Sequence, residues 1–209
     1  MIAWSIQAAI KSDCFDRIIV STEDTEIAAI AKAYGAEVPF MRPKELADDH
    51  TATIPVINHA ITWQKHAGVS PEFVCCIYAT APFIQAEDIK FALNRLKETK
   101  SDYALSVTSY PFPIQRAIYL KSKSSIAMFN PSEFNTRSQD LEECYHDAGQ
   151  FYWGITDAWL EERPVFSENS TAIVLPRYRV QDIDTPEDWM VAEQLFKLVN
   201  LQNEDFSVR

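Results

Sequence analysis

Short apolar runs alternate with longer amphipathic stretches along most of this 209-residue chain, and that alternation restricts the folds open to it. Strand-like and helix-like segments in turn argue for βαβ units and a mainly parallel sheet, an α/β fold. The chain opens in a helical pattern with Ile2, Ile6, Ala9 and Ile10 on one face. Residues 17–21 then read as a short buried strand. Thr22 with the acids Glu23 and Asp24 signals a helix start. Ile27, Ile30, Ala31 and Tyr34 continue that helix, and Gly35 suits its end. A third helix is expected over 53–67, a buried strand over 73–78, a helix carrying Ile89, Ala92, Leu93 and Leu96, and a strand over 103–108. After Ser109 the pattern changes. Pro111-Phe112-Pro113 and the run 135–154 suggest a less regular arm inserted over about 109–155. The rhythm is expected to resume with a strand at 179–183 and a helix over about 185–199. With no internal repeat, the expectation is one domain, 1–209, with an inserted arm.

The formal charge of −11 repels phosphate backbones and anionic lipid, so neither nucleic acid nor a membrane surface is an expected partner. An anionic small substrate then needs a local basic pocket or a bound cation. Glycine occurs only four times, as Gly35, Gly68, Gly149 and Gly154, and no pair has the spacing of a phosphate-cradling fingerprint. The four cysteines show no C-x-x-C spacing, and Cys75 and Cys76 sit inside an apolar run, which reads as core thiols in a reducing compartment. No apolar stretch approaches the ~20 residues of a membrane span, and no signal peptide precedes the first helix. A cytoplasmic location is expected.

Ligands of open parallel sheets bind beyond the carboxyl ends of the strands, and three segments fall at such places. In Asp182-Ile183-Asp184-Thr185-Pro186-Glu187-Asp188, extended alternation points Asp182 and Asp184 to one side, where they could share a hard cation. The same residues also read as an ordinary helix start, with Thr185 as cap and Pro186 in the first turn. In the loop 42–53, Arg42 is a cation before a helix N-terminus that can receive a polar ligand group; a proline-stiffened loop capped by Thr51 or Thr53 is the alternative. His50 has no partner at ligand spacing and reads as solvated. The run 135–154 is donor-rich and then aromatic, suited either to a sugar pocket or to an arm buried against a partner subunit. No Ser lies in a nucleophile elbow and no Cys–His signature is present, which favours metal-assisted positioning over covalent catalysis.

The ordered set Met1-Ile2-Ala3-Trp4-Ser5, Ile19-Val20-Ser21-Thr22-Glu23-Asp24, Arg42-Pro43, Ala79-Thr80-Ala81-Pro82-Phe83, Arg137-Ser138-Gln139-Asp140-Leu141 and Asp182-Ile183-Asp184-Thr185 resembles cytidylyltransferases for nine-carbon acidic sugars, the group that activates sialic acid. Phe112-Pro113-Ile114-Gln115-Arg116-Ala117 and the run from Tyr145 to Gly154 are similar to the pseudaminic acid branch. Sialic acid enzymes usually carry Gln at the place of Tyr78 and Asn-Gly at the place of Ala148-Gly149.

The resemblance implies a Rossmann-like nucleotidyltransferase fold, a homodimer built through the arm, and Mg²⁺-dependent transfer of CMP from CTP to the sugar. It implies that Asp182 and Asp184 hold Mg²⁺ and serve as the catalytic acids. Arg42, Thr51 and Thr53 would meet the nucleotide. Arg137, Gln139, Tyr152, Arg116 and Tyr78 would line the sugar site. Members of the family begin with a strand and a glycine-rich loop around the CTP phosphates, before the segment matching Met1-Ile2-Ala3-Trp4. That stretch is absent from this sequence, so low activity of this polypeptide alone is expected. The alternative is a truncated or inactive homologue acting as a sugar-binding or dimerisation module.

Overall fold

A computed structural model describes residues 1–48 and 50–206. The elements are α1 (Ile2–Ser12), α2 (Thr25–Ala33), α3 (Thr53–His66), β1 (Phe73–Ile77), α4 (Ala86–Thr99), β2 (Tyr103–Ser109), the hairpin β3 (Ile118–Ser122) and β4 (Ser125–Met128), β5 (Tyr145–Ile155), α5 (Thr156–Leu160), β6 (Ser170–Val174) and α6 (Pro186–Phe206). The helix starts follow the expected chemistry. The Asp24 carboxylate accepts from the N–H groups of Glu26 and Ile27 and caps α2.

The main sheet has the order β1-β5-β2-β6. β5 runs antiparallel to both of its neighbours, and β2 and β6 are parallel. Three strands therefore share one direction as expected, while β5, wedged between β1 and β2, makes most of the ladder antiparallel. Helices α1 and α4 cover one face, with Ala8, Ile89, Ala92 and Leu96 packed on Phe151 and Trp153. Helices α3 and α5 cover the other, where Ile57, Ile61 and Trp159 meet Tyr103, Leu105 and Tyr152. Each such large side chain contributes about 1.5–3 kcal/mol on burial. The indoles do not leave orphaned donors in this core: Trp153 Nε1 donates to the Ile89 carbonyl at 3.0 Å and Trp159 Nε1 to that of Val74 at 3.2 Å. Gly154 is dictated by this packing, because a Cβ there would lie 2.4 Å from Trp159 Nε1 and 2.7 Å from Tyr103 Cδ1.

Three expectations change. Residues 17–21 form a single parallel bridge, Ile19 with Glu37, rather than a strand. Its partner segment is too short for a ladder, since Pro39 lacks the N–H a longer pairing would use. The strand expected at 179–183 lies instead at Ser170–Val174, whose β-branched residues pair with β2. The arm is narrower than 109–155. Residues 110–144 leave the sheet, whereas 145–155 return as its longest strand. Phe151, Tyr152 and Trp153 are thus buried in this chain's own core and are not held for a partner.

Candidate active site

The carboxyl ends of β1, β2 and β6 and the amino end of β5 lie together, and the loop 180–185 crosses them. Two anchors hold that loop. Arg179 is nearly buried and its guanidinium donates to Asp88 of α4 at 2.6 Å, and Gln150 Nε2 donates to the Arg179 carbonyl. Beyond them the Thr185 hydroxyl accepts from the Asp188 N–H at 3.2 Å, while the Asp188 carboxylate accepts from the Thr185 N–H at 2.8 Å. This is a reciprocal capping box at the start of α6. The cap therefore uses the side chains of Thr185 and Asp188, with the Asp184 N–H also donating to Asp188 at 3.3 Å, and leaves the Asp182 and Asp184 carboxylates out of it.

Asp182 lies against the turn of β5 at Gly149, where φ is +61° and an added Cβ would stand 3.9 Å from Asp182 Oδ1. Partial desolvation raises the pKa of Asp182, and the charges of Asp184, Asp147 and Asp188 raise it further. Carboxylates that raise one another's pKa in this way are the pattern that a hard divalent ion relieves.

Next to these acids stands a line of hydroxyls. Tyr78 follows β1, its N–H donating to Gln150 O at 2.9 Å. Its hydroxyl lies 3.4 Å from Oγ1 of Thr53, the first residue of α3. The Tyr78 and Tyr152 rings meet edge to face at 5.6 Å, and the Tyr152 hydroxyl donates to Asp147 Oδ2. Burial, first, and the Asp147 carboxylate push the Tyr152 pKa up. The other oxygen of Asp147 accepts from the Gly149 N–H at 2.9 Å. The N-cap of α3 is Ala52, which has no side-chain group to cap the first-turn N–H groups.

The structure thus gathers Asp182, Asp184, Tyr78, Tyr152 and Thr53, and adds Asp147, Gln150 and Arg179, which the sequence reading did not single out. The turn at Gly149 and the kink in the β2–β5 pairing create that gathering, and neither has a spacing signature.

The other expected residues sit apart. Arg42 donates to Glu23 through Nε at 3.1 Å and through Nη2, and its N–H reaches the Thr22 carbonyl. The Arg42 guanidinium holds the Glu23 carboxyl below the usual range. The Thr51 hydroxyl donates to Asp48 at 2.7 Å and the N-cap of α3 is Ala52, so the alternative in which Thr51 or Thr53 caps α3 does not hold. On the arm, Arg116 reaches Ser138 Oγ at 3.5 Å, and Arg137 pairs with Asp140 at 2.7 Å with its side chain 70% exposed. Gln139 lines a cleft with Tyr110, Phe112, Ile114 and Leu141. The Tyr110 ring lies tilted against His146 at 4.8 Å and so joins the cleft to the start of β5. The Cys76 thiol is pushed up to about 12 by burial and Cys75 well above its usual value, which keeps both protonated and unreactive at neutral pH. Among the described residues no helix is long and apolar enough to cross a membrane.

The fold is shared with a solved CMP:2-keto-3-deoxy-manno-octonic acid synthetase, at a TM-score of 0.61 and 12% identity, covering 98% of this chain and 88% of that one. That likeness concerns the α/β architecture alone. The family described as Cytidylyltransferase matches residues 1–206, and the chain belongs to it. A pseudaminic acid cytidylyltransferase of Campylobacter jejuni is 40% identical over 198 residues, covering 95% of this chain and 85% of the relative. A CMP-N,N'-diacetyllegionaminic acid synthase of the same species is 32% identical over 211 residues, covering 99% and 88%.

Proposed function

We propose that this chain transfers CMP from CTP to pseudaminic acid and releases pyrophosphate. The observation that carries the reading is the meeting of the Asp182–Asp184 acids with Tyr78, Tyr152 and Thr53 at one end of the sheet, in a chain 40% identical to a pseudaminic acid cytidylyltransferase. Asp182 and Asp184 fit Mg²⁺, which takes one or two carboxylates and completes its shell with water and phosphate oxygens. Bound there, the ion would neutralise charge on the CTP phosphates.

The protein's own groups do the rest by positioning. The first turn of α3, with Thr51, Thr53 and Arg42 near it in sequence, meets the cytidine. Tyr78 and Tyr152 form the sugar wall, so that the anomeric hydroxyl attacks the α-phosphate in line with the departing pyrophosphate. Arg116, Arg137 and Gln139 approach the acidic sugar from the arm, and an arginine fork suits its carboxylate. Exposed Phe112, Leu120, Ile126, Phe129 and Phe134 on that arm support a homodimer. Four free cysteines are in keeping with a reducing, cytoplasmic setting.

The test is pyrophosphate release from CTP with Mg²⁺ and either pseudaminic or legionaminic acid. Turnover that favours pseudaminic acid is expected. A folded sample that binds the sugar acid without releasing pyrophosphate would instead favour a binding module.

A further inference from the structure

Gln150 sits where the sheet meets the loop that carries the two acids, and it is bonded on both sides. Its backbone carbonyl accepts from the Tyr78 N–H at 2.9 Å, and its side-chain Nε2 donates to the Arg179 carbonyl. The Arg179 guanidinium is held by Asp88 of α4 at 2.6 Å, so the residue three positions before Asp182 is clamped between a strand and a helix. The neighbour of Gln150, Gly149, lies beside the Asp182 carboxylate, with 3.9 Å between Oδ1 and an added Cβ. A carbonyl only accepts, so the Gln150 amide cannot be turned round: its nitrogen must face Arg179 and its oxygen must face away. That oxygen, Oε1, is buried with no hydrogen-bond partner among the described residues, on a residue only 3% exposed.

An orphaned buried acceptor is costly to the fold unless a donor is brought to it. The charged groups that act on Asp182 are the carboxylates of Asp184, Asp147 and Asp188, which are acceptors as well. A hydrated divalent cation meets such a surround, because its charge suits the acids and its bound waters are donors. We propose that Gln150 is a positioning residue of the metal site: Nε2 fixes the start of the 180–185 loop against β5, and Oε1 accepts from a water on the ion held by Asp182 and Asp184. The inference rests on the reading of those two acids as the metal site. It goes beyond that reading by naming the sheet residue that sets where they stand.

Gln150→Met keeps the length of the side chain and removes both polar atoms. Mn²⁺, standing in for Mg²⁺ and read by electron paramagnetic resonance, is titrated into the wild-type protein, Gln150→Met and Asp184→Asn. Thermal unfolding is followed without the ion. Gln150→Met is expected to weaken Mn²⁺ binding about ten- to a hundredfold, the usual loss when a partner behind a metal's ligands is removed. The ion-free midpoint should stay at the wild-type value, because the variant exchanges one orphaned acceptor, Oε1, for another, the Arg179 carbonyl. Binding of pseudaminic acid without the ion, measured by calorimetry, should stay within about twofold of the wild-type protein.

Mn²⁺ affinity unchanged in Gln150→Met overturns the proposal. So does a loss of Mn²⁺ affinity that comes with a lowered ion-free midpoint, which marks a residue needed only for the fold. Weakened sugar binding with Mn²⁺ affinity kept assigns Oε1 to the sugar and overturns it too. If Asp184→Asn binds Mn²⁺ as tightly as the wild-type protein, the metal reading falls and this inference falls with it. If Asp184→Asn loses the ion while Gln150→Met keeps it, the inference falls alone.

Discussion

The carboxyl end of the sheet and the arm treat their side chains in opposite ways. At the sheet, polar groups are matched within the chain: Tyr152 with Asp147, Thr185 with Asp188, Arg179 with Asp88. Its aromatics are buried, Phe151 and Trp153 among them. On the arm the hairpin of β3 and β4 holds itself by its own ladder, while Phe112 is 79% exposed, Leu120 77% and Phe129 70%. Apolar exposure on that scale, together with an arginine as open as Arg137, is what the proposed homodimer would cover. One region is pre-organised by its own contacts; the other leaves its large apolar side chains exposed. The exceptions within the first region are Gln150 Oε1, buried without a hydrogen-bond partner among the described residues, and the Asp182 and Asp184 carboxylates, which lie outside the α6 cap.

The largest expected effect breaks the comparison at one of those exceptions. Asp184→Asn should lower pyrophosphate release by more than ~100-fold, since charge placed at a phosphoryl site is worth several kcal/mol in the transition state. Unfolding should be unchanged, because the cap of α6 runs through Thr185 and Asp188. Retained turnover would remove Asp184 from the proposed metal site.

Within the self-matched region, Asp88→Ala should destabilise the fold by about 3 kcal/mol, leaving the Arg179 guanidinium nearly buried without its partner. Denaturant titration reads this directly, and a change below about 1 kcal/mol would mean that water, not Asp88, satisfies Arg179. On the arm, Leu120→Asp should leave the denaturation midpoint of the monomer almost untouched and instead shift a dimer toward monomer in sedimentation. A central apolar contact is worth about 2 kcal/mol of association. An arm variant that unfolds the chain would erase the contrast between the regions.

Much of this was legible in the sequence where a short-range rule applies. The cap at Asp24, the acids just after Pro186 and the apolar run of β1 each express themselves within a few residues. What was not legible depends on pairing at long range. β5 takes the central place between β1 and β2 although its own pattern, with His146, Asp147 and Gln150 among aromatics, reads as irregular. The strand β6 was hidden because only Ile173 among its residues is fully buried, so it lacks the alternation that marks a strand. Residues 17–21 have that apolar signal and make one bridge, because a strand is defined by its neighbours as much as by its own side chains. Asp147 escaped notice for the same reason: it is a turn at Gly149 that brings Tyr152 and Asp182 near it.

The smallest effect is a pH dependence that sharpens the contrast between matched and unmatched charge. The Asp182 pKa is raised, chiefly by desolvation and then by the charge of Asp184. A carboxyl whose folded pKa lies above its unfolded value binds protons more tightly when folded, so its ionised form opposes folding above the folded pKa. That penalty is relieved as pH falls through the folded value. Asp182→Asn should therefore raise the thermal midpoint at neutral pH by an amount equivalent to no more than roughly 1 kcal/mol, since the carboxyl remains wetted. The gain should fade in acid, where the wild-type residue is itself protonated. Mg²⁺ at neutral pH should raise the midpoint of the wild-type protein by binding the folded form, and should do so far less for Asp182→Asn. An equal Mg²⁺ response in the two proteins would separate the raised pKa from any metal role.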